Sequence, residues 1–169
     1  MELHSVAAIV HALNTANVRY LVVGGLAVVA HGYVRFTADV DLIVDLEPAN
    51  ATRAVAALES LGYRPRAPVA FREFADPEKR AQWVQSQHLT VFSVYSPRHP
   101  LTEVDLFVEA PLDFEAAYRR AVPKEIAPGL AATFVGIRDL RHLKQLAGRP
   151  QDLLDLDKLP ASDAEDGDE

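Results

Sequence analysis

The chain has 169 residues, 49% hydrophobic and 24% charged, with no cysteine; this is the composition of one ordinary globular domain without a disulfide framework. No basic leader opens the chain, and the longest apolar run, Tyr20 to Ala30, is 11 residues broken by Gly24-Gly25. That is too short to cross a bilayer, so a cytoplasmic protein without membrane contact is expected. Net charge is −7, but five acids fall in the last nine residues and residues 1–160 carry only −2, which excludes a broad basic footprint and strong non-specific nucleic-acid binding.

Taken in order, Leu3, Val6, Ala7, Val10 and Leu13 recur at helical spacing and predict a helix from Leu3 to Ala16. Arg19 to Val23 is a β-branched and aromatic run, hence a strand. Gly24-Gly25 ends it, and Leu26 to His31 reads as a short helix closed by Gly32. Val40 to Val44 is a second buried strand. Glu47-Pro48 opens a helix running from Ala49 to Leu61 and ending at Gly62. Tyr63 to Arg66 predicts a short strand, and 67–85, charged and broken by Pro68 and Pro77, a loop with one short helix. Leu89 to Tyr95 and Thr102 to Val108 read as neighbouring strands joined by the turn 96–100. A helix over Pro111 to Ala121 and two short strands within Ile126 to Val135, around Pro128-Gly129, follow. Helices over Ile137 to Ala147 and Gln151 to Leu159 complete the domain. Helices alternating with strands predict an α/β (α+β) domain over 1–160; the acid-rich end, 161–169, reads as a disordered tail.

Three features carry chemistry. A strand running into Gly24-Gly25 and then a helix lets backbone amides approach a phosphate, although such a pair also serves as a plain tight turn. Asp39-Val40-Asp41 opens a strand, so by alternation both carboxylates share one face while Val40 and Leu42 point to the core. Two adjacent carboxylates repel unless a cation lies between them, and a divalent ion is the usual solution; the bland alternative is a solvated strand mouth. Asp105 sits mid-strand in Glu103-Val104-Asp105-Leu106-Phe107, and would complete a triad if that strand neighbours the first. Glu103 shares its face but lies at the strand's start.

Together these residues resemble the nucleotidyltransferase superfamily, the polymerase-beta-like fold, in which a strand, a Gly-Gly or Gly-Ser pair, a short helix and Asp-x-Asp precede a third Asp on a later strand. Tyr20 to Asp45, with Arg35 and Thr37 before the acids, is most similar to the AbiEii-like toxin group and related bacterial nucleotidyltransferase-like proteins. The stretch from Asp139 to Asp152 is similar to their C-terminal part. The resemblance implies a mixed central sheet flanked by helices. It also implies transfer of a nucleoside monophosphate from a nucleoside triphosphate to an unknown acceptor (protein, RNA or small molecule), with Mg²⁺ or Mn²⁺ held by Asp39, Asp41 and Asp105. Gly24, Gly25, Arg35, Thr37 and Lys144 would bind the nucleotide, and a cognate antitoxin is an implied partner. Where many members place Ser after the glycine, this chain has Leu26. That departure keeps open a catalytically inactive nucleotide- or partner-binding module of the same fold. Arg149-Pro150-Gln151-Asp152 reads either as a second cluster at the cleft or as a simple helix start. Phe71 and Trp83 could stack on a base or fill core, and His31 suits a structural role.

Overall fold

A computed structural model describes residues 1–162; the acidic tail from Asp163 onward lies outside them. Seven strands form one mixed sheet in the order β3-β4-β5-β2-β1-β7-β6. They are β1 (Tyr20–Val23), β2 (Asp39–Val44), β3 (Arg64–Pro65), β4 (Val91–Tyr95), β5 (Glu103–Phe107), β6 (Val122–Ala127) and β7 (Leu130–Phe134). The helices are α1 (Leu3–Thr15), α2 (Gly24–Ala30), α3 (Pro48–Ser60), α4 (Pro77–Gln87), α5 (Phe114–Arg119), α6 (Ile137–Ala147) and α7 (Pro150–Lys158). Among the described residues no helix is long and apolar enough to cross a membrane.

The central strand β1 is buried throughout, as a Tyr-Leu-Val-Val run covered on both faces must be. It pairs antiparallel with β2 and parallel with β7. On the other side of β2 lies β5, parallel and in register, with Asp41 opposite Asp105 and Asp39 opposite Glu103. In β4, β5 and the first four residues of β2 burial alternates along the strand. Val40, Leu42, Phe92, Val94, Val104 and Leu106 fill the core, covered by α1, α3, α4 and the 3-10 turn Phe71–Ala75. The opposite face carries the acids. Asn50 of α3 locks the sheet centre: its side chain accepts from the Arg19 amide and donates to the Arg19 and Asp45 carbonyls.

Beyond shifts of one or two residues at strand and helix ends, four elements differ from expectation. Helix α2 begins at Gly24 itself, not at Leu26, because the two glycines occupy its first turn. Residues 77–87 form a full helix, α4. Asp76 caps it, accepting from the Glu78 amide at 2.9 Å, and Trp83 stacks on Phe92 with ring centroids 5.1 Å apart. Trp83 and Phe71 therefore fill core. Helix α5 is shorter than predicted because Asp113 caps it, accepting from Ala116. Strand β6 begins earlier, at Val122, and its Pro123 is tolerated because β6 is an edge strand.

Candidate functional site

The site forms where β1, β2 and β5 present one face beneath α6 and α7. A cavity of about 640 Å³ opens there, with Gly24, Asp39, Asp41 and Asp105 on one side and Lys144, Arg149 and Asp152 on the other. The rest of its wall is largely apolar, from Val91, Phe107, Pro111, Leu140 and Leu143. The sequence-predicted acids therefore share one cavity. Glu103 does not join them; it forms an ion pair with Arg66.

Gly24 has φ +66°, and a Cβ there would run into the Asp41 carboxylate. The backbone of α2 thus begins against Asp41 in a conformation and a space that only glycine fills. A Cβ on Gly25 would meet the Thr37 side chain, with an Arg35 guanidinium nitrogen 3.2 Å away. Thr37 and Arg35 are accordingly brought against the glycines, but of the expected nucleotide-binding residues Gly25, Arg35 and Thr37 do not line the cavity. The Arg35 Nε and Nη2 donate to both carboxylate oxygens of Asp155 at 2.7 and 2.8 Å, which pins the segment before β2 to α7.

Lys144 does line the cavity, yet it is only 5% exposed and already paired. Its Nζ lies 3.0 Å from Asp152 Oδ1 and 2.9 Å from Asp155 Oδ2. Arg149 donates to Asp152 at 2.7 Å. One network, Arg35–Asp155–Lys144–Asp152–Arg149, buried at Asp155, Lys144 and Asp152 and exposed at Arg149, therefore joins the loop before β2, α6 and α7. Burial pushes both aspartates up, but hydrogen bonds from Arg149 and Lys144 to Asp152, and from Arg35, Lys144 and Gln151 to Asp155, hold them below the usual carboxylate range.

The acids opposite behave in the other sense. Burial, then repulsion from Asp105 and Asp39, pushes Asp41 up to about 7, although Lys144 and Arg149 pull it down. Burial and Asp105 likewise raise Asp39. This is the signature of carboxylates crowded without enough countercharge. Asp105 is drawn toward β4, accepting from the Ser93 hydroxyl at 2.5 Å, while Asp41 lies against Gly24 on the β1 side. Among the described residues no group of three His, Cys, Asp or Glu stands arranged to hold a metal ion. The donor set fits a hard divalent cation nonetheless: all oxygens, an excess of negative charge, and paired strand positions lining one cavity.

Ser93 and Asp155 were missed in sequence. Ser93 carries no signal of its own, since its meaning lies in being opposite Asp105. Asp155 is spaced three residues from Asp152, and that pair on α7 facing Lys144 was the available hint. His31 places Nε2 2.7 Å from the Val135 carbonyl, a structural contact.

The fold and site thus define a mixed α/β domain with an acid-lined cavity at a glycine-led helix. No protein-family model matches the chain, and no curated protein matches it in sequence.

Proposed function

We propose that this protein is a metal-dependent nucleotidyltransferase with the nucleotidyltransferase fold, transferring a nucleoside monophosphate from a nucleoside triphosphate to an acceptor hydroxyl. The observation that carries this reading is the in-register pairing of Asp41 with Asp105 on parallel strands, with Asp39 on the same face and Gly24 pressed against Asp41. Asp39 and Asp41 would hold Mg²⁺ or Mn²⁺, with Asp105 sharing it. Such an ion, when bound, supplies positive charge against the phosphates and the reacting oxygens. Asp105 orients the acceptor hydroxyl and takes its proton as the acceptor oxygen bonds to the α-phosphorus and pyrophosphate leaves. Ser93 fixes the Asp105 carboxylate for that role. The amides of Gly24 and Gly25 approach the triphosphate, and Lys144 and Arg149 set the potential of the opposite wall. Thr37 and Arg35 hold the loop that positions Asp39. An association with toxin–antitoxin systems, and with an antitoxin partner, belongs to the same proposal through the AbiEii-like resemblance.

A second reading is a nucleotide- or partner-binding module without turnover. It is favoured by Leu26 beside the glycines and by the prior engagement of Lys144 with two carboxylates. The two readings separate in one assay, in which α-phosphate-labelled triphosphates are offered with Mg²⁺ and candidate acceptors. Label transfer that falls by at least about a hundredfold in Asp41→Asn, as loss of several kcal/mol of charge stabilisation requires, supports the transferase. Nucleotide binding with no transfer to any acceptor supports the module.

A further inference from the structure

Buried charge in this fold is paired, with one exception. Among the described residues Asp139, Lys144, Asp152 and Asp155 are buried, and each has an oppositely charged group within 3.0 Å, as burial of an ion requires. Arg80 is buried to the same degree, 6% exposed, yet among the described residues no carboxylate pairs with it. Its Nη1 donates to the Phe74 carbonyl at 2.6 Å and its Nη2 to the Leu46 carbonyl at 3.4 Å, which occupies two of a guanidinium's five N–H groups. Burial pushes the guanidinium below its ordinary range, and the charge of Asp76 offsets only part of that.

Arg80 lines a second cavity, of about 460 Å³, where the chain leaves β2 and β5 beside the first turns of α4. Leu46, Pro77, Ala81 and Val108 form its apolar part, and the exposed Glu109 is its other charged residue. We infer that this cavity binds a small zwitterion with an apolar body, of the class of the aliphatic α-amino acids, its carboxylate on Arg80 and its ammonium on Glu109. The two charges select the class. An inorganic anion drawn to Arg80 would be repelled by Glu109, and a metal cation drawn to Glu109 would be repelled by Arg80. A molecule carrying both charges satisfies both side chains, and its carboxylate supplies the countercharge that the fold withholds from Arg80. The planar guanidinium fork suits a carboxylate. Its two carbonyl bonds hold it in place beforehand, so little side-chain freedom is lost on binding. The apolar lining favours an aliphatic side chain over a further polar group. The inference is independent of the transferase reading, since none of these residues belongs to the acid-lined cavity.

The test is a titration of the full chain with L-leucine, followed through its backbone amide resonances. The two cavities share a wall, because Phe107 and Pro111 line the first and Val108, Glu109 and Ala110 the second. Leu46 and Ala81 line only the second, so their signals locate the ligand. Saturable shifts at Leu46 and Ala81 are expected. Arg80→Met should weaken binding at least about tenfold, as loss of hydrogen bonds to a charged group predicts. Glu109→Gln, at an exposed site where the fold has little to lose, should weaken it about two- to fivefold, so the proposal stays testable if Arg80→Met does not fold. Leucine lacking its ammonium (4-methylpentanoate) or its carboxylate (3-methylbutylamine) should bind more weakly than leucine. No saturable shift, shifts confined to residues of the first cavity such as Leu143 and Ala147, or leucine affinity unchanged in Glu109→Gln overturns the site. Equal binding of 4-methylpentanoate overturns the assignment to a zwitterion.

Discussion

Asp41 is held against its own charge. Its carboxyl, ordinarily near 3.8, is raised to about 7, so between those values the folded protein binds a proton that the unfolded chain does not. Stability is therefore undiminished below the lower value and lost as pH rises through the upper one, by up to roughly 4 kcal/mol. Asp41→Asn removes the titration. In chelator, the variant's melting temperature at pH 8 should exceed that of the wild type, with the gap closing near pH 4; equal pH dependence in the two proteins would contradict the crowding. Gly24→Ala makes the converse point. A side chain at φ +66° in the space of the Asp41 carboxylate is expected to cost about 1–3 kcal/mol, read by urea unfolding, and to displace Asp41. The identities of these residues were legible in sequence, because glycines after a strand and alternating acids before one are local patterns. Their crowding was not, since it depends on Asp105, 64 residues further along the chain from Asp41.

At the scale of elements, α7 acts as a brace. Lys144 holds Asp152 and Asp155 from α6 while Arg35 ties Asp155 to the loop before β2. Lys144→Met leaves two buried carboxylates short of a partner, which is expected to destabilise by about 3–5 kcal/mol, with the loss of amide protection concentrated in α7. A surface role for Lys144 would leave both unchanged. The pH sign here opposes that of Asp41: both aspartates are held below their ordinary value, so their contribution is full above it and disappears on acidification. Melting followed at a probe on α7 should show this helix loosening first as pH falls below about 4. Helices α1, α3, α6 and α7 and strands β1 and β2 were legible from periodicity and from Glu47-Pro48 and Gly148-Arg149-Pro150. Helix α4 was not. Its buried residues are Trp83 and Arg80, too few to set a helical period. It is fixed instead by the Asp76 cap and by the stack of Trp83 on Phe92, a contact made across the fold.

For the whole molecule, the decisive feature is the sheet order that places β5 beside β2. Residues 45–102, containing α3, β3, α4 and β4, intervene, so no local pattern could reveal that pairing, nor that it is parallel and in register. Alternation placed Asp39 and Asp41 on one face, but only the crossover brings Asp105 and Ser93 to them. The central claim is that this assembly binds a nucleoside triphosphate through a divalent metal. The most direct measurement is calorimetric titration of ATP, GTP, CTP and UTP into the protein, with Mg²⁺ and with chelator, in the wild type and in Asp39→Ala. Binding of at least one triphosphate that requires Mg²⁺ and disappears in Asp39→Ala is the predicted result; no binding under any condition, or binding indifferent to both metal and Asp39, would contradict it.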